Sequence, residues 1–111
     1  MSDKSSSLGE LESLMLLAVL RCGDDASGIP VRDEIRRRAG RALTLGTVYK
    51  TLMRLEAKGH LSTTVSDPEP RRGGRRRKLY RLTAHGRRAL QRTLATLNRM
   101  TRDLPVPLGA R

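Results

Sequence analysis

The sequence predicts a mainly helical α+β domain with three short helices, a two-stranded hairpin and a longer last helix. Apolar residues recur at helical spacing through residues 8–59 and 84–102, but they alternate with polar ones in residues 60–66 and 78–82. A glycine or a proline follows each helical segment. With 111 residues the chain forms one domain, and its core must be aliphatic because Phe and Trp are absent.

The first predicted helix runs from Leu8 to about Arg21 and ends at Gly23. Its second half, residues 14–20, is apolar on every side. A helix of that kind must be covered on two sides, and in so small a domain the second cover can be another subunit. Leu14 and Leu17 are therefore candidates for a dimer interface.

The second predicted helix spans residues 29–39, with Ser27 as its N-cap and Gly40 as its stop signal. Val31 and Ile35 lie four residues apart and should face inward. The arginines of this helix should lie mostly outside.

The third predicted helix begins near Thr44 or Leu45 and ends at Gly59. Its inward positions are apolar, whereas one other face is polar and basic. The inward residues are Val48, Leu52 and Leu55, and the polar face consists of Thr47, Lys50, Thr51 and Arg54.

Residues 60–66 and 78–82 should form a hairpin, and Thr83 should cap a last helix over residues 84–102 that Pro105 closes. This helix extends about 28 Å by helix rise, further than a small core needs. We therefore expect its apolar stripe to form a seam between two subunits, although packing within one chain stays an alternative. The stripe consists of Leu90, Leu94, Leu97 and Met100.

Positive charge is concentrated in the last third of the chain, which carries the whole formal net charge of +12. Residues 1–69 hold ten basic and ten acidic side chains, whereas residues 70–111 hold thirteen basic ones and a single acid. The densest segment, residues 71–78, surrounds Gly73-Gly74 and precedes a strand-like segment. Such a field attracts polyanions, and the pattern indicates a structured nucleic-acid-binding loop rather than a loose tail.

Composition and motifs weigh against several other kinds of function. The single cysteine, Cys22, excludes an intrachain disulfide and a multi-cysteine zinc site, and His60 and His85 lie far apart in the sequence. We find no catalytic motif, and we predict neither an enzyme nor a metal or cofactor. With two aromatic residues the chain does not suit stacking on single strands. The absence of a signal segment and of a long apolar stretch predicts a soluble, cytoplasmic protein without a membrane partner.

Three short helices followed by a hairpin with a basic tip form the winged helix-turn-helix arrangement. In that arrangement the third helix presents its N-terminal residues to the major groove, while hairpin arginines reach phosphates or the minor groove. The candidate DNA-binding residues lie on the third helix and in the hairpin loop. They are Thr44, Thr47, Tyr49, Lys50, Arg54, Arg71, Arg72, Arg75, Arg76 and Arg77.

Two long motifs resemble the PadR-like family of transcriptional regulators. Residues 43–61, LTLGTVYKTLMRLEAKGHL, are similar to its recognition helix, and residues 73–90, GGRRRKLYRLTAHGRRAL, are similar to its wing and last helix. The resemblance covers residues 8–100 and matches the short members with one C-terminal helix. One departure is visible, because the family usually has an aromatic residue where Ser27 precedes Gly28.

The resemblance implies a homodimeric DNA-binding repressor, which dimerises mainly through the last helix with help from the first. It also implies a near-palindromic double-stranded operator and leaves a small-molecule effector as an open possibility. We divide the chain into a disordered N-terminus (1–7), a DNA-binding domain (8–82), a dimerisation helix (83–102) and a flexible tail (103–111).

The roles of three side chains and the overall function each allow more than one interpretation. Tyr49 can contact DNA or fill space against the wing, and Tyr80 should pack in the core or the wing. Cys22 is either a small apolar helix-end residue or a redox sensor. The main alternative function is a non-specific basic protein associated with DNA architecture or RNA, and a protein-interaction adaptor is a further one.

Overall fold

Helices and one antiparallel hairpin make up the part of the chain that the computed structural model describes, residues 8–66 and 77–109. The elements in order are α1 (Glu10–Cys22), α2 (Gly28–Ala39), α3 (Leu45–Ala57), β1 (Leu61–Val65), β2 (Lys78–Leu82) and α4 (Ala84–Thr101), with a 3₁₀ turn at Gly23–Asp25 between α1 and α2. The predicted fold, a mainly helical winged helix-turn-helix, is confirmed. The disorder expected for residues 1–7 concerns residues outside the described part, and the flexibility of the tail stays a prediction.

The predicted element ends agree with the structure to within about two residues, as helix ends usually do. Strand β2 is confirmed as predicted, and Thr44 and Thr83 each cap the helix that follows. The Thr44 hydroxyl accepts a hydrogen bond from the Thr47 amide at 3.1 Å, and that of Thr83 accepts one from Gly86 at 2.9 Å. Both caps satisfy amides that the first helical turn leaves without a partner.

Ser27 occupies the N-cap position of α2 as predicted, but its side chain accepts no hydrogen bond from the helix. Its hydroxyl instead accepts one from Arg77 Nη2 at 2.6 Å. A charged guanidinium is a stronger donor than a backbone amide, which explains why the hydroxyl turns away from the helix.

The core lies between α1, α2, α3 and the inner face of the hairpin, and it is aliphatic as the composition predicts. Its largest fully buried apolar side chains are Met15, Leu16, Val31, Val48, Leu52 and Leu55. Thr51 also belongs to it, with 1% of its surface exposed, so placing Thr51 on the polar face of α3 was wrong. Position 51 lies three residues after Val48 and is therefore on the inward side. Its hydroxyl donates to the Thr47 carbonyl at 2.8 Å, which satisfies the buried polar atom.

The first turn of α4 lies directly against the chain that leaves α3. A Cβ atom on Gly86 would stand 2.2 Å from the His60 carbonyl oxygen, so only glycine fits there. The imidazole rings of His60 and His85 stack with centroids 4.8 Å apart. Sequence reasoning missed this pair, because 25 residues separate the two histidines and only the packing of α4 brings them together.

Gly86→Ala should lower the free energy of unfolding by about 1–3 kcal/mol, because the added methyl group overlaps a backbone atom that cannot rotate away. Gly46→Ala is the matched control, since the nearest atom to its added Cβ lies 3.9 Å away. That variant should be neutral or more stable by up to about 1 kcal/mol. Urea unfolding of both variants measures the difference, and equal stabilities would contradict the contact at Gly86.

Glu12 ties the start of α1 to the end of α3. Its Oε2 accepts a hydrogen bond from Lys58 Nζ at 2.9 Å, and its Oε1 accepts one from the Gly9 amide at 3.3 Å. Burial raises the pKa of this carboxyl, but the hydrogen bonds from Lys58 and Gly9 outweigh it. The pKa is therefore lowered from its ordinary value of 4.5.

Glu12→Gln should lower the free energy of unfolding at pH 7 by about 1 kcal/mol, because the charge-assisted bond to Lys58 is lost. The folded pKa lies below the unfolded value of 4.5. The advantage of the wild type is therefore complete above pH 4.5 and disappears as the pH falls through the folded pKa. Urea unfolding across this acid range measures the gap, and a gap that persists at the most acid pH would contradict the assignment.

Candidate nucleic-acid interface

The exposed side of α3 brings together three of the residues predicted to contact DNA. Thr47, Lys50 and Arg54 lie at positions i, i+3 and i+7, so their side chains share one face. Thr47 is half-buried, whereas Lys50 and Arg54 are exposed. The fourth residue, Thr44, is exposed and stands at the N-terminal end of this face, where its hydroxyl donates to the Thr47 hydroxyl at 3.1 Å.

Lys50 and Arg54 differ from the other cations of residues 8–66 because neither has a carboxylate partner among the described residues. Each of the other seven forms an ion pair, and every acid of residues 8–66 is in turn paired. Glu34, for example, binds Arg21, Arg37 and Arg38 at once. Burial raises the pKa of Glu34, but the hydrogen bonds from Arg38 and Arg21 outweigh it and lower the pKa. Lys50 and Arg54 therefore remain on α3 outside any ion pair, and Arg54 lies near enough to Glu12 to help lower the pKa of that carboxyl.

Tyr49 lies beside this face, and its ring packs against the start of α2. A Cβ atom on Gly28 would stand 2.5 Å from Cε1 of Tyr49 and 2.6 Å from its hydroxyl oxygen. Gly28 thus leaves the space that the phenol end of the ring occupies. Because 43% of Tyr49 is exposed, the ring both fills this space and reaches solvent. The sequence predicted that Tyr49 could fill space against the wing. The structure instead places its ring against α2.

The wing, meaning β1, β2 and the segment that joins them, is fixed to α3 on one side. Glu56 of α3 accepts a hydrogen bond from the Thr63 hydroxyl at 3.1 Å and pairs with Lys78 Nζ at 3.4 Å. Tyr80 is buried between the wing and the core, which confirms its predicted packing role, and burial raises the pKa of its phenol. The sequence did not mark Glu56 as functional, since a single acid on a helix carries no signal of its long-range partners.

The wing is also fixed to the turn between α1 and α2. The Tyr80 amide donates to the Ala26 carbonyl at 2.9 Å, and Arg77 Nη2 donates to Asp25 Oδ1 at 2.5 Å. Arg77 was predicted to contact DNA together with the other loop arginines, but its guanidinium already has acceptors in its own chain. The other four candidates, Arg71, Arg72, Arg75 and Arg76, lie outside the described residues.

The residues predicted for a dimer interface fall into three groups. Leu14 and Leu17 of α1 are half-buried. Leu90 is only 4% exposed because it packs in the core of its own chain, so it offers little surface to a second subunit. Leu94, Leu97 and Met100 lie on the second half of α4 and are 41%, 57% and 70% exposed.

Other kinds of site find little support in the described residues. No group of three or more His, Cys, Asp or Glu side chains within residues 8–66 and 77–109 could hold a metal ion. None of the described helices is long and apolar enough to cross a membrane. Cys22 is half-buried, and burial together with the Glu34 and Asp25 carboxylates raises the pKa of its thiol. A raised pKa disfavours the reactive thiolate and so weakens the redox alternative.

Solved structures support a family assignment. A PadR family transcription regulator from Clostridium difficile R20291 is 28% identical, with a TM-score of 0.71 over 83% of this chain and 91% of its own. The smu.1704 protein of Streptococcus mutans UA159 is 29% identical, with a TM-score of 0.62 over 84% of this chain and 83% of its own. Bacillus subtilis PadR, solved in complex with operator DNA, is 20% identical and covers 92% of this chain and 52% of its own, with a TM-score of 0.62. That last likeness shows the fold alone.

Sequence comparison agrees with the structural one. No curated protein sequence matches this chain. The model of the Transcriptional regulator PadR-like family matches residues 16–92, which include α2, α3, both strands and most of α1. This match covers more than half of the chain, and the chain therefore belongs to the PadR-like family of transcriptional regulators.

Proposed function

We propose that this chain is a homodimeric repressor that binds a double-stranded operator sequence-specifically. The observation that carries the proposal is the pairing of charges. Every other basic residue of the described segment 8–66 forms an ion pair with a carboxylate of the same chain, but Lys50 and Arg54 form none and lie on one face of α3. A free cation and a hydroxyl on the exposed side of a helix are the groups that read base edges in the major groove.

A dimer is supported by the apolar surface of α4. Of the eighteen residues of α4, only Gly86, Ala89 and Leu90 are buried. The ridge formed by Leu94, Leu97 and Met100 would expose apolar surface to water in a monomer, at a cost of about 25 cal/mol per Å². A second copy of α4 would cover it. Since a twofold dimer presents two identical helices, the operator should be near-palindromic.

One observation favours the alternative of a non-specific basic protein. Arg87, Arg88, Arg92 and Arg99 of α4 are exposed, and none has a carboxylate partner within the described residues. Such charges attract any phosphate backbone irrespective of sequence. The ratio of specific to non-specific affinity separates the two functions. Selection of duplexes from a random pool, followed by mobility-shift titration at moderate salt, measures that ratio and also tests the protein-interaction adaptor.

The first prediction assigns different roles to α3 and the wing. Lys50→Ala should change which base the protein prefers in a selected duplex, by about 1–3 kcal/mol of discrimination. Arg76→Ala should weaken binding to selected and unrelated duplexes alike. It should also reduce the slope of log affinity against log salt concentration by about 0.9. Binding titrations over a range of salt concentrations measure both effects. If Arg76→Ala changed the base preference and Lys50→Ala did not, the two assignments would be reversed.

The second prediction concerns the dimer. Leu97→Asp should give a folded monomer, because this side chain is largely exposed within one chain and a buried aspartate at the seam would have no partner. Ala95→Asp introduces the same charge on the far side of α4 and should leave the dimer intact. Sedimentation at micromolar concentration should show two 12.4 kDa chains for the wild type and one for Leu97→Asp. A monomeric wild type would refute the proposed seam.

A further inference from the structure

Arg77 differs from a free wing arginine because its guanidinium is held by the turn between α1 and α2. Its Nη2 atom donates to Asp25 Oδ1 at 2.5 Å and to the Ser27 hydroxyl at 2.6 Å. Only 37% of the Arg77 side chain is exposed. A guanidinium that meets two acceptors on one short segment is fixed in direction as well as in distance.

The backbone of Arg77 is fixed too. Its amide donates to the Ser66 hydroxyl at 3.2 Å, and its carbonyl accepts the Ser66 amide at 2.8 Å. Arg77 therefore closes the loop end of the hairpin directly after residues 67–76, the segment that holds four of the loop arginines.

A second tie lies three residues further along β2, where the Tyr80 amide donates to the Ala26 carbonyl at 2.9 Å. Glu56 holds the hairpin on the α3 side. On the other side Arg77 and Tyr80 bind two points of the returning chain to the same turn, which determines the direction in which the hairpin projects from α2.

We propose that Arg77 is a positioning residue, which aims the wing at DNA by fixing the loop end of the hairpin to Asp25 and Ser27. An acidic residue, Asp25, thereby strengthens DNA binding. This inference rests on the proposed DNA-binding function. It also accounts for the family departure at Ser27, because a serine at that position supplies the second acceptor for the guanidinium.

The alternative is that Arg77 is one more phosphate contact. The two roles predict opposite changes in DNA affinity when Asp25 loses its charge. If Arg77 only attracts phosphate, removing the Asp25 charge frees the guanidinium and strengthens binding to any duplex. If Arg77 positions the wing, the same change weakens binding although the protein becomes more positive. Asp24 is the matched control, because it is the neighbouring acid. It also pairs with β2, through Arg81 Nη2, but this pair is long, at 3.7 Å, and exposed on both sides, so it contributes little.

The test compares Asp25→Asn with Asp24→Asn on a duplex that the wild-type protein selects from a random pool. Asp25→Asn should lose about tenfold in affinity, the equivalent of one charge-assisted hydrogen bond. Asp24→Asn should bind as well as the wild type or better. Arg77→Ala should also lose affinity but keep the salt slope of the wild type, whereas Arg76→Ala should reduce that slope by about 0.9. Combining Arg77→Ala with Asp25→Asn should cost little more than either change alone.

The positioning role is overturned if Asp25→Asn binds as tightly as Asp24→Asn, or if Arg77→Ala reduces the salt slope as Arg76→Ala does. A second measurement, without DNA, is hydrogen exchange at the Ser66 amide. Asp25→Asn should speed this exchange and Asp24→Asn should not, while the thermal unfolding of both variants stays that of the wild type. If the wild type selects no duplex, the proposed function fails. Exchange at Ser66 then still decides whether Asp25 and Arg77 fix the loop end of the hairpin.

Discussion

The turn between α1 and α2 is the point on which the arrangement of α3 and the wing depends. Within four residues, Asp25 to Gly28, it binds the Arg77 guanidinium, accepts a hydrogen bond from the Tyr80 amide and leaves room for the Tyr49 ring. The wing and α3 thus take their positions from the same short segment. A change there moves the two elements relative to each other, and the proposed binding of both to adjacent parts of one duplex depends on that relation.

Charge in this protein is divided between internal pairs and surfaces left for a partner. The acids of residues 8–66 all pair with bases of the same chain, and many of these pairs join different elements, as Glu12 joins α1 to the end of α3 and Glu56 joins α3 to the wing. Exposed pairs contribute little stability one by one. Their larger effect is on the field, because they offset part of the positive charge of α2, whereas the cations on the exposed face of α3 and most of those on α4 have no ion pair among the described residues.

Much of the fold could be predicted from the sequence because local signals agree with tertiary packing. Thr44 and Thr83 cap helices in a pattern that needs no long-range partner, and the alternation over Lys78–Leu82 is that of a half-buried strand. Contacts could not be predicted where they depend on a distant side chain. The Ser27 hydroxyl accepts a hydrogen bond from Arg77, fifty residues away, and His60 meets His85 only because α4 packs against the chain that leaves α3.

In the candidate site, too, local signals could be predicted from the sequence and long-range contacts could not. Lys50 and Arg54 could be assigned to an exposed face from helical spacing alone. Their lack of carboxylate partners among the described residues, the Glu56 contacts and the engagement of Arg77 depend on which acids the fold brings near, and spacing does not contain that information. Leu90 shows a related limit. Spacing places it on one stripe with the exposed residues of α4, but spacing does not reveal that Leu90 itself is buried in the core.

The central claim is that two α3 helices of a dimer enter one duplex, and hydroxyl-radical footprinting on a duplex selected by the wild-type protein tests it most directly. The account predicts two protected stretches that are related by a twofold axis, with centres about one helical turn, or ~34 Å, apart. A single unsymmetrical stretch, or even protection along any duplex, would contradict it.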